Sequence, residues 1–183
     1  DRVAPDDVYV AEESLTQGSQ LVVPNRRFIA LRARWQVVWD VWAEGIYLLP
    51  WFEDERNVVA NVVVIPDADQ TPEELSGLVE GLPSEAQYAR RLAENGCRVL
   101  IPALVSRQYA ARNGRAKMTN REYLHRSAFE LGKLVTGYEM QAVLAAADWF
   151  KNYDPDMGDS IDERKWPLGV AGHGEGGMIA MHA

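Results

Sequence analysis

An apolar strand that runs straight into a glycine cluster constrains this chain more than any other feature. Leu168-Gly169-Val170-Ala171 leads into Gly172-His173-Gly174-Glu175-Gly176-Gly177, and an apolar helical segment follows from Met178. Four glycines in six positions let a backbone reverse sharply and let two elements approach closely, because no Cβ stands in the way. A strand that turns at once into a helix belongs to a sheet whose strands run parallel and are joined by helices.

The period of the apolar residues upstream supports that reading. Residues 58–65, Val-Val-Ala-Asn-Val-Val-Val-Ile, are almost continuously apolar, as suits a strand buried on both faces. Pro66-Asp67-Ala68-Asp69 ends the run. Thr71-Pro72-Glu73-Glu74 reads as a helix start, with Thr71 as N-cap and Pro72 at the first position. Ser84-Glu85-Ala86-Gln87 fits a capping box for a second helix that reaches Glu94 and closes at Asn95-Gly96, with Gly96 left-handed. Residues 98–102 make the next strand. Residues 103–120 read as a loop around Gly114. From Thr119 or Asn120 a long helix is expected, because Leu124, Ala128, Leu131, Val135, Tyr138, Ala142, Ala145 and Trp149 recur at steps of four and three. Gly132 and Gly137 argue against a coiled coil, and residues 152–165 form a polar loop.

The first 26 residues are polar and contain Pro5, Gly18 and Pro24, so 1–26 reads as an extended lead-in and 27–183 as one α/β domain. Residues 28–35 and 36–42 each alternate in polarity and are expected as antiparallel strands, with 46–50 continuing or following them. Trp35, Trp39, Trp42 and Trp51 are expected in a core or under a loop, with a sugar-stacking platform as the alternative.

A Gly-x-nucleophile-x-Gly turn between strand and helix has a mechanical logic: small residues must flank a nucleophile held in strained geometry, and the following N–H points at a developing oxyanion. Gly172 and Gly176 take the flanking places, Gly177 lets the helix approach closely, and the Glu175 amide is the oxyanion donor. Gly174 stands at the nucleophile position. With this turn the sequence resembles the α/β-hydrolase superfamily, in its dienelactone-hydrolase-like and acetyl-xylan-esterase-like branch. The resemblance runs from about Val58 to the end. It includes Val62-Val63-Val64-Ile65-Pro66, the helix and strand over 90–102, the helix over 132–150 and Asp154-Pro155-Asp156. It implies the N-terminal part of an α/β-hydrolase fold: antiparallel lead-in strands, then a parallel sheet with flanking helices. It also implies descent from carboxylic-ester hydrolases, with an oxyanion loop at Asp67, Ala68 and Asp69. Two departures stand out. The family nucleophile is Ser or Cys, and Gly174 supplies neither. The family's acid and histidine partners follow the elbow helix, so no triad is expected from these 183 residues, and ordinary serine-esterase activity is not expected of them.

Each candidate residue has a plainer reading. The Glu175 carboxylate suits the first turn of a helix, since beside an oxyanion-forming amide it would oppose anion build-up unless protonated or salt-bridged. His173, Asp67, Ala68 and Asp69 are cleft candidates. For the two aspartates turn formation is the first expectation, and a polar pocket wall for a sugar hydroxyl or a metal is the alternative. His125 and His182 fall on helices and are expected to pack or face solvent. Arg107, Arg112, Arg115, Lys117 and Arg121 are expected along a solvated loop. Cys97, the one cysteine, can form no internal disulfide and is expected as a buried thiol. The Asp154 loop fails as an EF-hand, because Asp159 takes the glycine place and Lys165 the bidentate glutamate place. No metal or cofactor is expected. Gly172, Gly174 and Gly177 also satisfy Gly-x-Gly-x-x-Gly, so dinucleotide binding stays as a further alternative.

The formal net charge of −8 disfavours binding to nucleic acid or anionic lipid. No apolar run approaches the roughly 20 residues of a membrane span. Asp1-Arg2-Val3-Ala4-Pro5 has no signal-peptide pattern, and secretion or periplasmic export after processing stays open. The expected partners are a small ester or carbohydrate ligand and the remainder of the same fold or another subunit. The expected function is that of an esterase relative without its serine, or of a binding or structural domain on the same scaffold.

Overall fold

In the computed structural model, residues 9–14, 28–50, 58–112, 116–152 and 166–183 are described. The strands are β1 (Tyr9–Ser14), β2 (Phe28–Val38), β3 (Val41–Pro50), β4 (Ala60–Ile65), β5 (Cys97–Pro102), β6 (Tyr109–Arg112), β7 (Ala116–Thr119) and β8 (Leu168–Gly172). The helices are α1 (Pro72–Leu75), α2 (Tyr88–Glu94), α3 (Asn120–Glu130), α4 (Val135–Asn152) and α5 (Glu175–His182). Six strands form one sheet in the order β1-β2-β3-β5-β4-β8. The pairs β1/β2, β2/β3 and β3/β5 are antiparallel, and β4 runs parallel to both β5 and β8. This is a mixed α/β fold with antiparallel strands leading into a parallel part, as expected.

Side-chain alternation in the strands sorts the core into two layers. Val63 and Ile65 of β4, Tyr47 of β3 and Trp35 of β2 point to one face, where Val143, Ala146 and Trp149 of α4 and Ile179 of α5 cover them. Val62 and Val64, with Ile46, Leu48, Val99 and Ile101, point to the other face, under Leu75 of α1 and Ala89 and Ala93 of α2. Burial on both faces is why β4 and β5 read as unbroken apolar runs. The Trp35 indole N–H donates to the Ala142 carbonyl at 3.0 Å and fastens β2 to α4.

Several local expectations change. The lead-in contains a paired strand, β1. The break between the next two strands lies at Trp39-Asp40, not at residue 35, because Ala33, Trp35 and Val37 carry one buried face straight through β2. Trp39 turns that hairpin with φ 44 and is 81% exposed, without the Gly or Asn such a turn favours. Trp42 is partly exposed under the Arg34 guanidinium, 4.9 Å from its ring centroid, and Trp51 lies outside the described residues. Thr71 caps α1 in a full capping box with Glu74. Ser84 makes no such box: its hydroxyl donates to Glu85, while the Gln87 side chain donates to the Leu82 carbonyl and accepts from Arg90. Residues 84–86 are therefore a 3-10 turn, and the helix begins at Tyr88. Residues 103–120 hold the β6/β7 hairpin as well as a loop.

The single long helix is two. Gly132, at φ 69, closes α3 with its N–H on the Phe129 carbonyl and the Lys133 N–H on the Ala128 carbonyl, a Schellman motif. No residue of α3 is buried, so the apolar stripe is a packing face only along α4. The last helix begins at Glu175, three residues before Met178. Cys97 is buried, and burial pushes its thiol pKa up. The Asp154 loop lies outside the described residues.

Candidate functional site

Parallel pairing of β4 with β8 decides what meets at their carboxyl ends. The register Ile65↔Gly172 carries Asp67 and Gly174 into neighbouring positions two residues further on. From there the chain leaves β4 toward the face covered by α1, and leaves β8 toward the face covered by α4 and α5. Such a divergence opens a crevice at the strand ends, where ligands bind in open α/β sheets.

The turn itself is held by backbone. A Cβ on Gly172 would come within 2.3 Å of the Gly176 carbonyl oxygen, and one on Gly176 within 2.3 Å of the carbonyl oxygens of Ile65 and Pro66. Both positions therefore exclude any side chain. Gly174 lies between them at φ 58, ψ −125 and is the N-cap of α5. Other residues at such an angle carry strain of about 1–3 kcal/mol.

Asp67 fills the space beside Gly174. A Cβ on Gly174 would stand 2.7 Å from Asp67 Cγ and 2.8 and 2.9 Å from its two oxygens. Asp67 Oδ1 accepts the Ala68 N–H at 2.9 Å and the Glu175 N–H at 3.0 Å. Two backbone donors 107 positions apart in sequence thus converge on one carboxylate oxygen. Burial pushes the Asp67 carboxyl up, but the Glu175 and Ala68 amides, Arg107 and His173 outweigh it and hold it below its ordinary value. The turn-forming role expected for Asp67 is present too, since the Gln70 N–H donates to its carbonyl at 2.9 Å.

Two arginines complete the cluster. Arg107 donates from Nη1 to Asp69 at 2.9 Å and from Nη2 to Glu175 at 2.5 Å, and its Nη1 lies 3.5 Å from Asp67 Oδ1. Arg121, 11% exposed, grips Glu139 with both terminal nitrogens at 2.6 and 2.7 Å and also donates to Glu175. Glu139 in turn accepts the Val105 N–H at 3.0 Å. Glu175 is thus a first-turn helix acid as expected, and its charge is met by two guanidinium groups. The expectation of a solvated basic loop is corrected for Arg107 and Arg121. The loop folds back over the strand ends, and the carboxylates there offset what desolvating a guanidinium costs. Two guanidinium groups face four carboxylates, so the cluster is net negative.

The remaining candidates separate. His173 is exposed on the turn. His125 stacks with Phe129, ring centroids 6.2 Å apart, and His182 Nδ1 lies 2.8 Å from the Met178 carbonyl, both away from the cluster. Ala68 and Asp69 line a cavity of about 250 Å³ with Gln70, Leu104, Ser106 and Arg107. No group of three or more His, Cys, Asp or Glu among the described residues is placed to hold a metal ion. Tyr88 was not foreseen: its hydroxyl donates to the Ile65 carbonyl at 3.0 Å, and burial with the nearby Asp67 charge pushes its pKa up to about 12. Arg107, Arg121 and Glu139 gave no motif in sequence, and only tertiary folding brings them together.

No family model matches the sequence, and neither does any curated protein. Solved structures do resemble it. A Bacteroides fragilis protein described as an acetyl xylan esterase superposes with a TM-score of 0.61 at 15% identity, over 86% of this chain and 42% of that one. Glucuronoyl esterase from Solibacter usitatus gives 0.49 at 12% identity, over 86% and 44%, too low to carry weight. The chain spans less than half the length of either. The likeness shows the fold alone: the mixed α/β arrangement described above is shared with part of the Bacteroides fragilis structure. Among the described residues no helix is long and apolar enough to cross a membrane.

Proposed function

We propose that this chain is an esterase-like α/β-hydrolase domain, of the dienelactone-hydrolase-like and acetyl-xylan-esterase-like kind, on which ordinary serine-esterase chemistry has been lost. In this reading residues 172–177 are the nucleophile elbow, and the Ala68 and Glu175 amides are the former oxyanion donors. The observation that carries it is the Asp67 carboxylate, which takes both amides and fills the space beside Gly174. An ester carbonyl would find no nucleophile, and both donors already engaged by an anion. The 250 Å³ cavity next to Arg107, with Gln70, Ser106 and Asp69 on its wall, is suited to a small ester or carbohydrate ligand. Use of the scaffold for binding is the companion reading.

Dinucleotide binding through Gly172, Gly174 and Gly177 is disfavoured. A pyrophosphate would need the helix N-terminus that Asp67 and Glu175 already make negative. A thermal shift with NAD or NADP would revive it.

The test is hydrolysis of an aryl acetate by the full-length protein, as native chain, as Gly174→Ser and as Gly174→Ser with Asp67→Gly. The reading expects no turnover by the native chain. Turnover by the native chain sinks it. Turnover confined to the double variant supports loss of function on an intact scaffold.

A further inference from the structure

Between Pro102, buried at the end of β5, and Val135, buried at the start of α4, none of the side chains described is buried. That stretch carries β6, β7 and α3, so an arm of two strands and a helix shares none of the buried core. We propose that this arm is a lid over the crevice at the strand ends, latched by Arg107 and Arg121, that opens as one body while the sheet stays folded. Its two ends suit hinges. Leu104, packed partly buried against the α4 core, anchors one of them. At the other, Gly132 has φ 69 and an added Cβ would meet no atom within 4 Å, so its dihedrals can change without collision.

What holds the arm to the body is mainly ionic. Arg107 donates to Asp69 and Glu175, Arg121 to Glu139 and Glu175, and the Val105 N–H to Glu139 at 3.0 Å. Each of these bonds ends on a carboxylate. The backbone adds a long contact, from the Arg107 N–H to the Ala68 carbonyl at 3.4 Å. Within itself the arm is joined by backbone. β6 and β7 pair from Tyr109↔Thr119 to Arg112↔Ala116, and the Asn120 and Arg121 N–H groups donate to the Gln108 and Ser106 carbonyls at 2.9 and 3.0 Å. Opening returns both members of each ion pair to water and recovers their desolvation cost, whereas re-exposing an apolar core has no such return. The arm therefore parts from the body more readily than from itself. The cavity beside Arg107 lies along that parting line, with Asp69, Gln70 and Thr71 on the body wall and Ser106, Arg107 and Gln108 on the arm wall. Opening the lid widens it.

The lid controls access to the cavity proposed above as a ligand site, and it rests on that reading only for what would pass. Its test uses no ester, so it stands or falls apart from aryl-ester turnover. The experiment is amide hydrogen exchange followed by NMR on the full-length protein, as native chain, as Arg107→Gln and as Arg107→Lys, in about 0.1 and 1 M NaCl. The Val105 amide reports the contact of arm with body, the Asn120 amide the inside of the arm, and the Val63 and Leu100 amides the sheet. The Val105 amide is expected to exchange on the order of fivefold faster in Arg107→Gln, with Arg107→Lys close to the native chain. High salt should speed it in the native chain too, because the screening length falls from about 10 to about 3 Å. The Asn120 amide should stay slower than the Val105 amide, and the Val63 and Leu100 amides should not follow either change. The salt series gives the same reading where Arg107→Gln does not fold. A Val105 amide that keeps pace with Val63 and Leu100 throughout would mean that the arm leaves only when the whole fold does, which overturns the proposal. An Asn120 amide that exchanges together with Val105 would mean that the arm melts rather than swings, and overturns it as well.

Discussion

The Asp67 carboxylate stands where a side chain on Gly174 would have to go, with its Cγ 2.7 Å from that Cβ position. The two residues come together because β4 and β8 are neighbours in register, although 107 positions separate them in sequence. Gly174 and Asp67 are therefore one feature, and changing either alone is expected to disturb the other.

Gly174→Ser tests that coupling directly. The new side chain meets backbone strain at φ 58 and a carboxylate at under 3 Å. A loss of about 2–4 kcal/mol is expected in urea denaturation. Adding Asp67→Gly removes the clash but not the strain, so the double variant should be more stable than the sum of the two single losses. Additive losses in that cycle would show that the two positions do not interact.

Acid stability carries the mark of Asp67. Its folded pKa lies below the ordinary 3.8, so its contribution is present above that value and is lost as pH falls through the folded pKa. Asp67→Asn cannot titrate. Its stability should fall less steeply than that of the native chain below about pH 4. Thermal denaturation across pH 2–5 checks the slope, and parallel curves would refute the assignment.

How much of this was legible in sequence divides along the range of the interactions. The β-branched run of β4, the Thr71 cap and the glycine turn are local, and each read correctly. The split between α3 and α4 was also local: Leu131-Gly132 is a helix end, but the regular spacing of apolar residues on either side masked it. The Trp39 turn lacked the residues that normally announce one. The arginine cluster was illegible for a different reason. Arg107, Arg121, Glu139 and Glu175 come from four segments, and nothing in composition shows that a basic loop will fold over strand ends. Asp67 and Glu175 were each singled out, but their hydrogen bond depends on strand register.

The alkaline limb should report Tyr88. Burial and the Asp67 charge raise its pKa from 10.0 to about 12. Its contribution is therefore complete below pH 10 and is lost as pH rises through about 12. Tyr88→Phe should flatten that loss. At neutral pH it should cost about 1 kcal/mol, from the hydrogen bond to the Ile65 carbonyl. Absorbance titration of tyrosinate in the native chain should show a component near pH 12 that Tyr88→Phe removes.

The Arg121–Glu139 pair makes the most demanding prediction. Both side chains are nearly out of solvent, at 11% and 6% exposure, and their contact is bidentate. Taking one charge away leaves the other buried without its partner, which costs about 3–5 kcal/mol. Glu139→Ala leaves Arg121 the Glu175 carboxylate, whereas Arg121→Ala leaves Glu139 only the Val105 amide. Arg121→Ala should therefore be the more damaging single change. Replacing both with apolar residues of similar volume, Arg121→Met with Glu139→Leu, should cost less than Arg121→Ala, since no unpaired charge remains between them. Arg107 still neutralises Glu175 in that double variant, so the turn at Gly174 should keep its shape. Urea denaturation of the three variants gives the order, and a double variant less stable than Arg121→Ala would mean that the pair does more than cancel its own desolvation.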